Sequence, residues 1–418
     1  MALVQSARGY ILFFKTFLNT ILLAGFMRKR GLLIVLLLVP MVFADLPVSQ
    51  TEAIAAFAKP AVARIETEFL ANVERPGIAP DGSELPPFRA RVFVRTLGSG
   101  FIIRPDGYLI TNSHVVTPSE DDSRDKVIWE LLRPYEMNPK RSEIEKIIRD
   151  KAKLIDITTS KIEVMLPAFN PITNDVVPRI YVAEVKKEGA PYPGKDIAVL
   201  KIPAENLPTV KFGSTDHLKI GSDVTVIGFP GTAELTPGEF EPTVTSGIVS
   251  AVKNAPTGWK VLQFDVAIAP GSSGSAVFDK SGNVVGVATL GSPETQGFNW
   301  FIPAEVAKEF LLEGNVVPER GVVDDIYERA LTSYWNQRYL HAIDDFRIVQ
   351  ELYPGHPFVP EYVQKSRTEL ARAEAGVPTG FIVSLFGALL IFIVGFLVFF
   401  VFKEKKEIMM LKRRIHHR

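Results

Sequence analysis

A serine hydroxyl attacks a carbonyl only when a base takes its proton, and histidine, with a pKa near neutrality, suits that task. A buried carboxylate can then fix the imidazole tautomer and stabilise the imidazolium. The chain offers one candidate for each part. Ser273 lies in Pro270-Gly271-Ser272-Ser273-Gly274-Ser275. Glycines on both sides allow a tight turn that aims the N–H groups of Gly271 and Ser273 at one point, where a tetrahedral oxyanion would sit. His114 lies in Tyr108-Leu109-Ile110-Thr111-Asn112-Ser113-His114-Val115-Val116, delivered by an apolar run. Asp196 opens Asp196-Ile197-Ala198-Val199-Leu200-Lys201-Ile202, a carboxylate at the head of an otherwise apolar strand. Each has a plainer reading when taken alone: a Gly/Ser surface turn, a structural histidine, a turn aspartate after Gly194.

The remaining composition narrows the chemistry. There is no cysteine, which excludes a thiolate nucleophile, a disulfide framework and a thiolate metal site. The histidines are His114, His217, His341, His356, His416 and His417, and no pair has the helical spacing and acidic company of a zinc site. No metal and no cofactor is expected. Lys and Arg number 47 and so do Asp and Glu, so the charge balance favours no nucleic acid partner.

The elements that would position these residues are short. From Ala90 to Pro303, β-type runs such as Arg91–Thr96, Tyr108–Thr111, Ile197–Ile202, Thr243–Val252 and Val284–Leu290 are cut by Gly, Pro, Asn and Asp. Many short strands with turn signals predict an all-β barrel or sandwich. Asp106-Gly107 and Ser281-Gly282-Asn283 are turn sequences. Residues 119–158 are highly charged, and Ile144, Ile147 and Ile148 fall on one helix face, which predicts a helical insertion. The Pro/Gly-rich run Arg75–Pro87 reads as a long surface loop. Over 320–375 the pattern turns helical. Ala330, Tyr339, Ala342, Phe346 and Pro354 occupy the small, aromatic, small, aromatic and proline positions of a tetratricopeptide-like (TPR-like) hairpin, and Pro360–Ala375 reads as a further helix.

The two ends read as membrane-directed. Residues 27–44 carry a basic start, a short apolar core and a small residue at Ala44, the parts of a secretory signal. On that reading translation starts at Met27; an uncleaved N-terminal anchor is the alternative. Gly380 to Phe402 is apolar without a charge, long enough to cross a bilayer core of ~30 Å at ~1.5 Å per residue. The tail 403–418 is rich in Lys and Arg, which places it in the cytoplasm and the 50–310 domain across the membrane.

The order His, Asp, Ser is that of the chymotrypsin barrels. Gly98-Ser99-Gly100-Phe101-Ile102-Ile103, the Thr111–Val116 histidine motif, Asp196–Ile202, Ile227-Gly228-Phe229-Pro230, Thr245-Ser246-Gly247-Ile248-Val249-Ser250 and the serine motif resemble trypsin-like serine proteases of the HtrA/Deg type. The resemblance covers about residues 50–310. It implies a mainly β fold, a chymotrypsin-like double β-barrel with the site in the crevice between the barrels. It implies peptide-bond hydrolysis through an acyl-enzyme, with Ser273 as nucleophile, His114 as base and then acid, and Asp196 as orienter. Gly271 and Ser273 would form the oxyanion hole, and Ala267, flanked by Ile268, the floor of the pocket for the residue before the cut. By analogy the substrates are unfolded or damaged envelope polypeptides, and the chain is a homo-oligomer, a trimer. A protease tethered to the membrane to cut one regulator, and an inactive scaffold that recruits partners through its helices, are the alternatives. Three departures stand out. Ser272 and Ser275 replace the usual Asn and Gly, the His-to-Asp segment is longer, and no PDZ domain follows.

Overall fold

The computed structural model describes residues 48–117, 120–231, 240–289 and 299–375, with isolated positions beyond them. The expected signal over 27–44 and, but for Leu389 and Phe396, the expected span Gly380–Phe402 lie outside the described residues. Among the described residues no helix is long and apolar enough to cross a membrane.

A first helix, α1 (Gln50–Ala58), begins after Ser49, whose hydroxyl oxygen accepts the Glu52 N–H at 3.1 Å. The first sheet holds β1 (Val62–Ile78), β2 (Glu84–Ile102), β3 (Tyr108–Thr111), β4 (Lys153–Asn170), β5 (Asp175–Val182), β6 (Glu184–Glu188) and β7 (Ala198–Lys201). Between β3 and β4 lie α2 (Ser113–Val116), α3 (Glu120–Leu132) and α4 (Arg141–Lys151). The spatial order is β5-β4-β1-β2-β3-β7-β6. β5 and β6 stand at opposite edges of that order, yet only Ala183 separates them in sequence. The edges must therefore meet, which curls the sheet into a barrel.

The second sheet holds β8 (Lys211–Phe212), β9 (Asp223–Gly228), β10 (Thr243–Asn254), β11 (Lys260–Phe264), β12 (Ala276–Phe278), β13 (Asn283–Thr289) and β14 (Asn299–Pro303). Its order is β12-β9-β10-β11-β14-β13-β8, and β12 also pairs with β13, so the ring closes and leaves β8 outside it. Phe264 and Phe301 pack inside this ring with centroids 5.4 Å apart. Ile65, Phe101, Ile110 and Leu200 fill the first barrel, and their cluster continues into the helices that follow the second.

Those helices are α5 (Ala304–Glu313), α6 (Val322–Trp335), α7 (Tyr339–Leu352) and α8 (Val359–Ala375). Ala330, Ala342 and Phe346 are fully buried, and the Phe346 ring stacks on Tyr362 at 5.5 Å. Asp324, near the start of α6, accepts both the N–H and the hydroxyl of Thr209, at 2.8 and 2.6 Å, and so ties the helices to the β-structure.

Two sequence expectations are corrected. The run Arg75–Pro87 is the far end of a β-hairpin, not a long loop, since β1 reaches Ile78 and β2 begins at Glu84. Its turn is short because Gly82 takes φ +84° and Asp81 accepts the Ser83 N–H and hydroxyl at 2.9 and 2.6 Å. The Pro76-Gly77 pair falls where the register shifts. Pro86 and Pro87 are tolerated because both fall at that shift, where neither has a partner on β1, and among the described residues no strand pairs with the outer side of β2 there. The insertion over 119–158 is helical in α3, in a 3-10 turn at Arg133–Tyr135 and in α4, and from Lys153 onward it is β4. Ile144 and Ile148 are buried, with Val127 and Leu131, against Ala71, Val73, Val92 and Val94 of the long hairpin. Leu154 and Ile157 pack against the same cluster from β4. This is a satellite core of its own.

Candidate active site

β3 and β7 are antiparallel neighbours with Thr111 opposite Ala198. His114 lies just after Thr111, on α2, and Asp196 just before Ala198, so strand pairing alone brings the two together. His114 Nδ1 is 3.1 Å from Asp196 Oδ1 and 2.9 Å from Oδ2. Oδ1 also accepts the His114 backbone N–H at 3.1 Å, and Oδ2 accepts the Thr289 hydroxyl at 2.9 Å. Asn112 Nδ2 donates to the Asp196 carbonyl at 2.8 Å. Asp196 adopts φ +40°, the left-handed region that a short polar side chain tolerates better than most. Its side chain is 3% exposed and that of His114 23%, so the carboxylate is dry and the imidazole reaches the surface. This contact occupies Nδ1 and leaves Nε2 as the ring nitrogen not engaged by Asp196.

Ser273 lies between β11 and β12, in a loop held from both barrels. The Ser99 N–H of β2 donates to the Ser273 carbonyl at 2.7 Å. The Ser99 hydroxyl donates to the Gly271 carbonyl at 2.8 Å and accepts the Phe229 N–H at 2.8 Å. Gly271 takes φ +93° and Gly274 φ +87°. A side chain at Gly271 would come within 2.6 Å of the Gly231 nitrogen, and one at Gly274 would run into the Ser99 carbonyl. The glycines are thus required by both conformation and space. The N–H groups of Gly271 and Ser273 find no acceptor among the described residues. The Gly274 N–H donates to Ala288 O at 2.9 Å and the Ala288 N–H to Ser275 O at 2.8 Å. Ala288 thus holds the serine loop and the adjacent Thr289 holds Asp196, which brings the three predicted residues to one end of β13. Ser273 Oγ is buried and makes no hydrogen bond among the described residues.

Beside the loop lies a cavity of about 200 Å³, bounded by Val226, Ala267, Ile268, Ala269 and hydroxyl-bearing residues including Thr243, Thr245 and Ser275. No charged residue lines it. Ala267 and Ile268, singled out from the sequence, both border it.

Residues 98–287 match the trypsin-like peptidase domain family. His114, Asp196 and Ser273 all fall inside that trypsin-like stretch. Among similar proteins are the probable periplasmic serine endoproteases, DegP-like, of two bacteria. The one from Pseudomonas savastanoi pv. phaseolicola is 34% identical over 248 residues, 58% of this chain and 39% of that protein. The one from Ectopseudomonas mendocina is 34% identical over 277 residues, 60% of this chain and 46% of that protein. The chain thus spans less than half the length of these relatives. Among solved structures, an HtrA-type protease, AlgW, with a decapeptide is similar at 26% identity, over 64% of this chain and 68% of that one, with a TM-score of 0.40.

Three polar residues of the candidate site were not assigned from the sequence. Asn112 and Ser99 stood inside quoted motifs, beside histidine and between glycines, without a role. Thr289 carried no local signal, because its partner Asp196 lies 93 residues away.

Proposed function

We propose that this chain is a serine endopeptidase in which Ser273 attacks the peptide carbonyl, His114 takes and then returns the proton, and Asp196 orients the imidazole. The observation that carries the proposal is the two-oxygen hold of Asp196 on His114 Nδ1, at 3.1 and 2.9 Å, which leaves Nε2 as the base. The unengaged hydroxyl of Ser273 is compatible with this role, because catalytic hydrogen bonds are often long until substrate is bound. The N–H groups of Gly271 and Ser273, without acceptors of their own, would stabilise the oxyanion.

The uncharged cavity at Ala267 and Ile268 suits a small or medium aliphatic side chain. A Lys or Arg there would be left unpaired, at a cost of several kcal/mol. The proposed setting is extracytoplasmic, with unfolded or damaged envelope polypeptides as substrates, residues 380–402 as a membrane anchor and the tail inside. The helices α6 to α8 are proposed to be the TPR-like segment. Protease added to intact spheroplasts would then digest the domain and spare a tag on the tail; the opposite pattern reverses the topology.

The test of the activity is labelling and hydrolysis by the purified chain. Ser273→Ala is expected to abolish fluorophosphonate labelling and cleavage after Ala or Val, whereas Ser272→Ala keeps most of both. Labelling at Ser272, full activity in Ser273→Ala, or a dominant cut after Lys or Arg would overturn the assignment.

A further inference from the structure

The long hairpin offers a feature that hydrolysis at Ser273 does not use. β2 pairs with β3 only at Phe101 and Ile102, so among the described residues its outer edge is unpaired from Glu84 to Leu97. A strand edge of this length presents a row of backbone donors and acceptors to any extended chain. Alongside it runs a groove of about 590 Å³, lined by Phe93, Val94 and Trp129 and otherwise by charged residues of β1, β2 and α3 and by Arg133.

The walls of the groove fit one occupant. Val94 faces the satellite core under α3, and Phe93 points to the opposite face of the sheet. Trp129 and Phe93 therefore flank the edge from its two faces, and both are widely exposed, at 57% and 60%. Side chains of an added strand alternate between those faces, so successive residues would meet Trp129 and Phe93 in turn. The charges nearby are already answered. Arg95 sits 3.5 Å from Glu68, Arg133 3.5 Å from Glu130, and Arg149 2.7 Å from Asp125. With those charges turned to one another, the side chains left for an added strand to cover are Trp129 and Phe93, and its complement carries apolar residues at the positions that meet them.

The edge leads to the serine. Leu97 borders Gly231, whose N–H donates to the Pro270 carbonyl at 2.7 Å, and Ser99 binds Ser273 and Gly271 directly. At ~3.3 Å per residue, Phe93 is roughly 20 Å along the strand from Ser99. We infer that the β2 edge between Phe93 and Trp129 is an exosite, which takes an extended apolar segment of the polypeptide substrate as an added strand while another part of it is cut at Ser273. This rests on the endopeptidase reading. It gives the helical insertion a task, since α3 supplies one wall.

The test compares two substrates in the full chain. One is a reduced, carboxymethylated protein, and the other a short peptide that covers only the cleavage site. Trp129→Ser and Phe93→Thr are each expected to lower kcat/KM for the long substrate by about tenfold and to leave the short one unchanged. Both side chains are exposed, and matching thermal melts verify the fold. Equal losses on both substrates, or none on either, would sink the exosite while the endopeptidase reading stands. In the Ser273→Ala background, fluorescence anisotropy reads binding of the long substrate without turnover, and Trp129→Ser is expected to weaken it about tenfold. Binding that depends on Trp129 in a wild-type chain that cuts neither substrate would keep the groove and reject the activity. A change of oligomeric state in Trp129→Ser would overturn the exosite in favour of a contact between copies.

Discussion

On the proposed assignment, the carboxylate of Asp196 must both fix an imidazole and keep its own orientation in a dry site. Its surroundings serve both ends. Two of its hydrogen bonds come from one residue, His114 N and Nδ1, which fixes the ring's tilt as well as its tautomer. The Thr289 hydroxyl supplies a further donor to Oδ2, the oxygen nearer Nδ1. A hydrogen bond to an ionised group contributes about 1.5–3 kcal/mol, and here it holds the carboxylate in the orientation that serves Nδ1. Thr289→Val keeps the shape and removes the donor. On the proposed assignment, kcat is expected to fall about tenfold to a hundredfold with KM little changed, and Thr289→Ser to restore most of it. Steady-state kinetics on one peptide checks this; a rise in KM alone would make Thr289 a packing residue. The histidine, aspartate and serine were legible in the sequence because each stands in a short run of distinctive neighbours. Thr289 was not, because its meaning comes from a contact between distant segments.

Among the elements, the insertion after His114 was half legible. Ile144 and Ile148 gave the helix face away, and both are buried. The hairpin it packs on was missed, because Pro and Gly signal a loop unless the strand they interrupt has an open edge. The satellite core that joins them is separate from the two barrel cores. Ile144→Ala is therefore expected to act locally. It removes a fully buried side chain at a cost of about 2–5 kcal/mol. Hydrogen exchange should rise over α3, α4 and the hairpin tip while β7, β9 and β13 keep their protection. Uniform loss of protection across both barrels would show that the insertion is part of one cooperative unit with them.

For the molecule as a whole, the turn between α7 and α8 is where the helices meet the first barrel. The Gly355 carbonyl accepts the Phe169 N–H of β4 at 3.2 Å. Next to it His356 is fully buried between Tyr327 and Tyr353, with Nδ1 facing the Phe358 N–H at 3.4 Å. Burial lowers its pKa to about 3. The unfolded chain takes up a proton near the ordinary value of about 6.5, and the folded one does not until about 3. Stability is thus whole above about 6.5 and is lost as pH falls from there towards 3, at about 1.4 kcal/mol per pH unit. Chemical denaturation at pH 7 and pH 5 should show this loss, and His356→Asn, though less stable at pH 7, should lack that share of it. Equal slopes for the two proteins would show that His356 is reachable by protons in the fold.

The joining of the two barrels has a consequence for biosynthesis. On the proposed assignment the base follows β3 and its orienter precedes β7, both strands of the first barrel, whereas the nucleophile loop and Thr289 come from the second. A chain that emerges N-terminus first, folding as it goes, completes the His114–Asp196 pair long before Ser273 leaves the ribosome. On the proposed assignment, no product terminated before Ser273 carries a nucleophile. A cell that makes this protein is thereby spared hydrolytic fragments from interrupted synthesis.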